Sequence, residues 1–237
     1  MGIRRALKKF RQTRAKSTKF FDLSVNFSSP QYTWNIKEHL FHGVYEIHEI
    51  KGLQAVVKPT DAILELGTGL GIITSLAARA APHGRVLSYE ANPDLVDDAR
   101  NLISANGILN TEVRHGVLTK NPTNPTTVFH IASSFAESSL HPMSDAVKAI
   151  DVPTHDLDSV LSEFCPDVLI CDIEGAEANF IPQVNLENVR AAVVELHPHL
   201  LKDVEIAGIY NHFMGKNLYP RIEHSGGTVV VFERLDL

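Results

Sequence analysis

The stretch Asp61–Ala78, DAILELGTGLGIITSLAA, constrains the fold more than any other. An apolar run, Ala62-Ile63-Leu64, leads into the acid Glu65, and glycines then occupy the alternate positions Gly67, Gly69 and Gly71. Past them Ile72, Ile73, Leu76 and Ala77 recur at helical spacing. A buried run that gives way to a helical repeat across a glycine turn predicts strand, turn and helix, the opening of a βαβ nucleotide site. Glycine suits such a turn because the chain needs positive φ there, and a backbone that touches a ligand has no room for Cβ. The helix that follows presents unpaired N–H groups at its start.

A dinucleotide turn of the form G-x-G-x-x-G would carry glycine at position 72, where this chain has Ile72. The observed G-x-G-x-G preceded by an acid resembles motif I of class I S-adenosylmethionine (SAM) methyltransferases. That resemblance implies that Glu65, or the turn formed by Gly67, Thr68, Gly69 and Gly71, meets the amino-acid part of the cofactor. The second strand, Arg85–Glu90, ends on an acid nineteen residues after Gly71. Two carboxylate oxygens there match the two adjacent hydroxyls of a ribose. Ala91 and Asn92 follow directly and are expected beside the same ligand. The competing reading of Glu90 is a surface acid at a strand end.

The chain has 237 residues, 44% of them hydrophobic and 21% charged, an ordinary composition for a soluble α/β protein. No apolar run is long enough to span a membrane. Cys165 and Cys171 flank one predicted strand, no structural disulfide is expected, and no secretory signal is visible. A cytoplasmic location is therefore expected. No Cys/His spacing matches a zinc site. No metal ligands are assigned, although a cation bridging Asp172 and Glu174 stays open. The net charge of −6 hides an asymmetry: residues 1–20 hold eight of the 22 basic residues and none of the 28 acidic ones. The remaining 14 basic residues face 28 acids, which leaves the body at −14. Residues 1–30 read as a basic tail, solvated or a short surface helix. Contact with an anionic surface and an organellar presequence are the other readings. An acidic body without an Asn/Asp-Pro-Pro-Tyr-like motif gives no reason to expect a nucleic-acid partner.

Along the chain, Phe20–Pro30 reads as irregular. Residues 31–58, with Trp34, Phe41, Val44, Tyr45, Ile47 and Ile50, predict one or two helices that cover the sheet or cap a cleft. Residues 59–237 form the main domain, with an insertion at about 119–153. Strand three is Thr111–Leu118. The insertion carries short strands at Val128–Ala132 and Ala146–Pro153 around the serines 133, 134, 138 and 139. A helix over His155–Phe164 is capped by Thr154. The second dense motif, DVLICDIEGAE at Asp167–Glu177, is a buried strand whose C-terminal edge holds Asp172, Glu174 and Glu177. In an open parallel sheet ligands sit at that edge. Acids so close together repel one another and need donors, a cation or solvent. Strand five, Arg190–Leu196, ends beside His197 and His199. A helix over Val204–Gly215 precedes two strands, Asn217–Glu223 and Thr228–Arg234, close enough in sequence to pair antiparallel. The expected architecture is α/β: a Rossmann-like, seven-stranded, mostly parallel sheet with a C-terminal antiparallel hairpin and helices on both faces.

Over about residues 43–234 the chain resembles the FkbM family of SAM-dependent methyltransferases. The most specific part is Ile170-Cys171-Asp172-Ile173-Glu174-Gly175-Ala176-Glu177, similar to the family's Lys-Ile-Asp-x-Glu-Gly-Ala-Glu. Gly43-Val44-Tyr45-Glu46, Glu90-Ala91-Asn92-Pro93, Leu157-Asp158 and Val194-Glu195 support it. The chain departs at motif I, where the family has Asp-x-Gly-Ala-Asn-x-Gly, and at Ile170, which replaces the family's lysine beside the acids. The resemblance implies SAM as cofactor and methyl transfer to a hydroxyl of a sugar, glycan or natural product. Asp172, Glu174 and His197 are the candidates for base or substrate orientation, and Asp172 also borders the cofactor. The alternatives are a non-catalytic SAM-binding module and a nicotinamide-dependent oxidoreductase. Ile72 and the terminal hairpin argue against the last.

Overall fold

The computed structural model describes residues 14–132 and 146–235. Most of the basic tail and the serine-rich stretch of the insertion lie outside those residues. Where irregular chain was expected, Ser17–Phe20 (β1) and Leu23–Asn26 (β2) pair antiparallel. Phe20, Leu23 and Val25 turn inward and are buried, while Lys19 and Ser24 face solvent. The period-two alternation outweighs the neighbouring basic residues.

The cover predicted over 31–58 consists of two helices, Trp34–His42 (α1) and Ile47–Val56 (α2). The second lies flat on the sheet because residue 52 is glycine. A Cβ at Gly52 would stand 2.8 Å from the Val231 side chain. The glycine turn then joins Ala62–Leu66 (β3) to Ile72–Ala80 (α3). Arg85–Glu90 (β4) leads into Pro93–Ala105 (α4), capped by the Asn92 side chain, which accepts from the Asp94 N–H at 3.1 Å.

The strand expected over 111–118 is broken in two. Thr111–His115 (β5) belongs to the main sheet and stops at Gly116, whose N–H donates to the Glu90 carbonyl at 2.8 Å. Val117–Thr119 (β6) instead pairs parallel with Ala146–Asp156, and Thr126–Ala132 (β7) pairs antiparallel with the same strand (β8), giving a separate three-stranded sheet. The helix Leu157–Phe164 (α5) starts later than expected. Its cap is Asp156, which accepts from the Ser159 N–H at 2.9 Å, while Thr154 belongs to β8. Val168–Cys171 (β9), the short helix Glu177–Phe180 (α6), Ala191–Glu195 (β10), Asp203–Met214 (α7), Leu218–Pro220 (β11) and Val229–Arg234 (β12) complete the fold.

The main sheet has seven strands in the order β11-β12-β10-β9-β3-β4-β5. β12 runs antiparallel to both of its neighbours and the other pairs are parallel, as expected. Successive residues of the central strands feed opposite layers. Ile63, Val168, Ile170 and Val193 pack with the hairpin and α1–α3, whereas Leu64, Leu169, Cys171 and Val194 pack with α5–α7. Burial on both faces is why these strands read as unbroken apolar runs. The chain leaves β3 toward β4 and β5 on one side and returns to β9 on the other. At this reversal of strand order the carboxyl ends of β3, β4 and β9 open a cleft. Cys165 and Cys171 are both free thiols. Among the described residues no helix is long and apolar enough to cross a membrane.

Candidate active site

The cleft has a volume of about 820 Å³ and is bounded by the glycine turn, the end of β4, the ends of β9 and β10, the three-stranded sheet and the start of α2. The three turn glycines do different work, though all have positive φ. At Gly67 a Cβ would lie 1.7 Å from the Asp172 carbonyl oxygen, so the turn presses directly on the backbone that carries Asp172. At Gly71 it would lie 2.7 Å from the Ala99 Cβ, so this glycine lets α3 and α4 meet. At Gly69 it would meet nothing within 4 Å, and Gly69 lines the cleft. Only Gly67, Thr68 and Gly69 of the expected turn residues border the cavity; Gly71 packs behind it.

Glu90 is buried at the end of β4. One carboxylate oxygen accepts from the Gly69 N–H at 2.9 Å and the other from the Asn92 N–H at 2.8 Å. These bonds clamp the acid to the turn, and each oxygen keeps a lone pair for a further donor. Burial raises its carboxyl above the usual range, and the backbone donors oppose the rise. Ala91 and Asn92 line the same wall.

Glu65 does not border the cleft. It is fully buried under the turn, where the Thr74 and Ser88 hydroxyls donate to one of its oxygens and Thr68 is bonded to Ser88 in turn. Its side chain therefore braces the turn from behind rather than reaching the ligand space. Burial pushes Glu65 up to about 7, against the opposing Ser88 and Thr74 bonds. The folded chain thus holds a proton that the unfolded chain, titrating near 4.5, has already released. Stability from this group is complete below that lower value and is lost as pH rises toward 7. Glu65→Gln removes a loss on the order of 3 kcal/mol. Thermal unfolding midpoints recorded across that window should fall more steeply for the wild type than for the variant; equal slopes would contradict the assignment.

Opposite the turn, His197 is held among acids. Its Nδ1 stands 2.8 Å from Glu177, and its Nε2 stands 3.2 Å from Glu174 and 3.5 Å from Asp172. Glu177 is fully buried and also accepts from the Gly175 N–H at 3.1 Å. Glu174 reaches the histidine because it adopts left-handed backbone, φ 47, ahead of Gly175. Burial works against an imidazolium, yet the Glu177 hydrogen bond and the three carboxylates push His197 up to about 9. The direction favours the imidazolium, a form that donates a proton rather than accepting one. Burial raises Asp172 well above its usual range, with Glu195 and Glu174 adding to the rise and His197 opposing it. Burial takes Glu174 up to about 7, which His197 moderates. A carboxylate near 7 is well matched to accept a proton at physiological pH.

The three expected catalytic candidates thus converge on one wall of the cleft. Three further acids line the cleft with them: Glu46 and Glu49 at the start of α2, and Glu195 at the end of β10. Glu46 precedes the first turn of α2 in left-handed backbone and Glu49 lies within that turn.

A doubly wound sheet with a glycine turn, a strand-end acid and an acidic wall across the switch point defines the class of Rossmann-like methyltransferases. The methyltransferase FkbM domain matches residues 67–217, well over half of the sequence, and the chain belongs to that family. A shorter similarity joins it to protein-L-isoaspartate O-methyltransferase 1 of Polaromonas sp. (strain JS666 / ATCC BAA-500), 37% identical over 60 residues. That match spans a quarter of this chain and a quarter of the relative. Among solved structures, an O-methyltransferase from Bacillus cereus in complex with SAH is 17% identical, with 78% of this chain and 80% of that chain covered and a TM-score of 0.46. A methyltransferase from Geobacter sulfurreducens is 16% identical, with 90% and 91% covered and a TM-score of 0.47.

Family membership makes S-adenosyl-L-methionine the cofactor. The cleft suits it: its volume lies within the range of small-molecule sites, Gly69 leaves its side open, and both Glu90 oxygens have lone pairs to spare. No phosphate has to be held, which fits a turn with no lysine or arginine beside it.

Proposed function

We propose that this protein transfers a methyl group from S-adenosyl-L-methionine to a hydroxyl oxygen of a sugar, glycan or natural product. One observation carries the reading: Asp172, Glu174 and a charged His197 share the wall of the cleft that faces the glycine turn and Glu90. When bound, the cofactor supplies an activated methyl group. The protein's own work is alignment and the removal of one proton. Glu90 receives the ribose hydroxyls, and Gly67–Gly69 flank the amino-acid part. Gly116, Val117 and Phe129 line the end of the cleft beyond Glu90 and offer the adenine an apolar and backbone surface, because no acid follows β5. His197, fixed by Glu177, sets a positive charge 3.2 Å from Glu174 and 3.5 Å from Asp172. Those two carboxylates take up the proton of the acceptor hydroxyl.

Glu90→Ala removes both ribose acceptors and unclamps the Gly69 N–H. Its dissociation constant for SAM should rise roughly 100-fold, as expected for two lost hydrogen bonds to a charged group. Unchanged affinity in an equilibrium titration would remove the ribose role. The reaction itself is tested with isotopically labelled SAM and a panel of sugars, glycosides and phenols alongside amines. Label in an alkali-stable ether of a hydroxyl acceptor supports the reading, and label confined to amines overturns it.

A further inference from the structure

Beyond the three residues already described, the same cleft holds a second cluster. Glu46, Glu49 and Glu195 each bring one carboxylate oxygen to a place where the three lie within 4.8 Å of one another. They come from two separate elements, the start of α2 and the end of β10, so tertiary folding creates the cluster. Glu49 is only 3% exposed, yet its carboxylate lines the cleft. Among the described residues no N–H or O–H donates to it and no lysine, arginine or histidine pairs with it. Glu46 is equally without a donor, and it enters α2 through left-handed backbone, φ 42. Glu195 has one partner: the Thr228 hydroxyl donates to one of its oxygens at 2.7 Å. His197, whose charge acts on Glu46, is already held by Asp172, Glu174 and Glu177.

A carboxylate this buried is ionised only with donors or a cation beside it, because desolvation of an unpaired charge is costly; burial and the neighbouring acids hold the Glu49 carboxyl well above its usual range. The fold supplies neither from its own side chains, and it places two further carboxylates beside the first. We propose that Glu46, Glu49 and Glu195 bind one hard divalent cation of the magnesium, manganese or calcium class. The donor set decides the class. Three carboxylate oxygens without thiolate or imidazole suit hard, oxygen-seeking ions rather than zinc or copper. Three protein oxygens also leave coordination positions for water and for an acceptor oxygen. The consequence for catalysis rests on the methyl-transfer reading. A cation at this place, next to Asp172, would hold the acceptor hydroxyl and favour its deprotonation.

The test uses the full chain freed of metal by a chelator and titrated with Mn²⁺ without cofactor, followed by calorimetry and by the electron paramagnetic resonance of free Mn²⁺. One site per chain is expected. Glu49→Gln, a neutral isostere, and Glu195→Gln should each weaken it roughly 10-fold or more. Magnesium should displace the manganese. No Mn²⁺ binding by the wild type up to millimolar concentration would overturn the proposal, as would binding that neither variant weakens. Displacement of Mn²⁺ by a primary alkylammonium but not by magnesium would also overturn it and would mark the cluster as a seat for a cationic acceptor. A SAM titration of the same metal-free sample separates the two readings. Cofactor binding without Mn²⁺ binding removes the cation site alone, and the reverse removes the methyltransferase reading alone.

Discussion

Asp172→Asn lowers methyl turnover by roughly 100-fold or more, the scale of a lost proton acceptor, while the affinity for SAM changes by only a few-fold. The reason is local. Asp172 follows β9 directly, its N–H donates to the Leu66 carbonyl at 2.9 Å, and its backbone is pinned against Gly67. The amide of asparagine keeps that shape and removes the charge. One Asp172 oxygen faces His197 at 3.5 Å and has no hydrogen-bond donor, so no internal bond is lost on substitution. Glu174→Gln should show the same pattern, because the two carboxylates share the proton-accepting role. The comparison is made with single-turnover rates on one hydroxyl acceptor and an independent cofactor titration. Equal losses of turnover and affinity would make Asp172 a cofactor-positioning residue only. Unchanged turnover would remove it from the chemistry.

Gly67→Ala is the second large effect, and it acts through structure. The residue has φ 87, where a side chain is strained, and its Cβ would meet the Asp172 carbonyl oxygen at 1.7 Å. Neither backbone can yield without breaking the β3–β9 pairing beside it. Destabilisation by about 3 kcal/mol is expected from strain and overpacking together. For a chain of this size that lowers the melting midpoint by about 10 °C. Gly69→Ala is the contrast. It shares the backbone strain, with φ 52, but its added methyl meets nothing within 4 Å, so the melting midpoint should move less, whereas SAM affinity falls because the methyl enters the cleft. If the two variants melt alike, the close contact between Gly67 and Asp172 is not what shapes this turn.

Much of this was legible in the sequence for identifiable reasons. The strand, turn and helix at Asp61–Ala78 were readable because the period changes across glycines that the backbone needs. The central strands were readable because burial on both faces leaves an unbroken apolar run, as in Val168–Cys171. The terminal hairpin followed from proximity and alternation. What stayed hidden depended on tertiary contacts. The pairing of Ser17–Phe20 with Leu23–Asn26 was masked by basic residues, although Phe20, Leu23 and Val25 carried the alternation. Glu65 looked like a ligand because it adjoins the turn, but the side chain of a β3 residue points to one layer or the other, and this one points beneath α3. The role of Gly71 depended on where α4 would lie. His197 gave no hint of its charge, which comes from Glu174 and Glu177 brought in by a separate loop. Nothing in the sequence marked Glu49, because its burial comes only from the docking of α2 on the sheet.

The most direct measurement is a calorimetric titration of the purified protein with SAM, with its demethylated product and with NADH. The account predicts saturable micromolar binding of the first two, at one site per chain, and none of the third. Binding of NADH, or no binding of SAM by a protein that melts cooperatively, would contradict it.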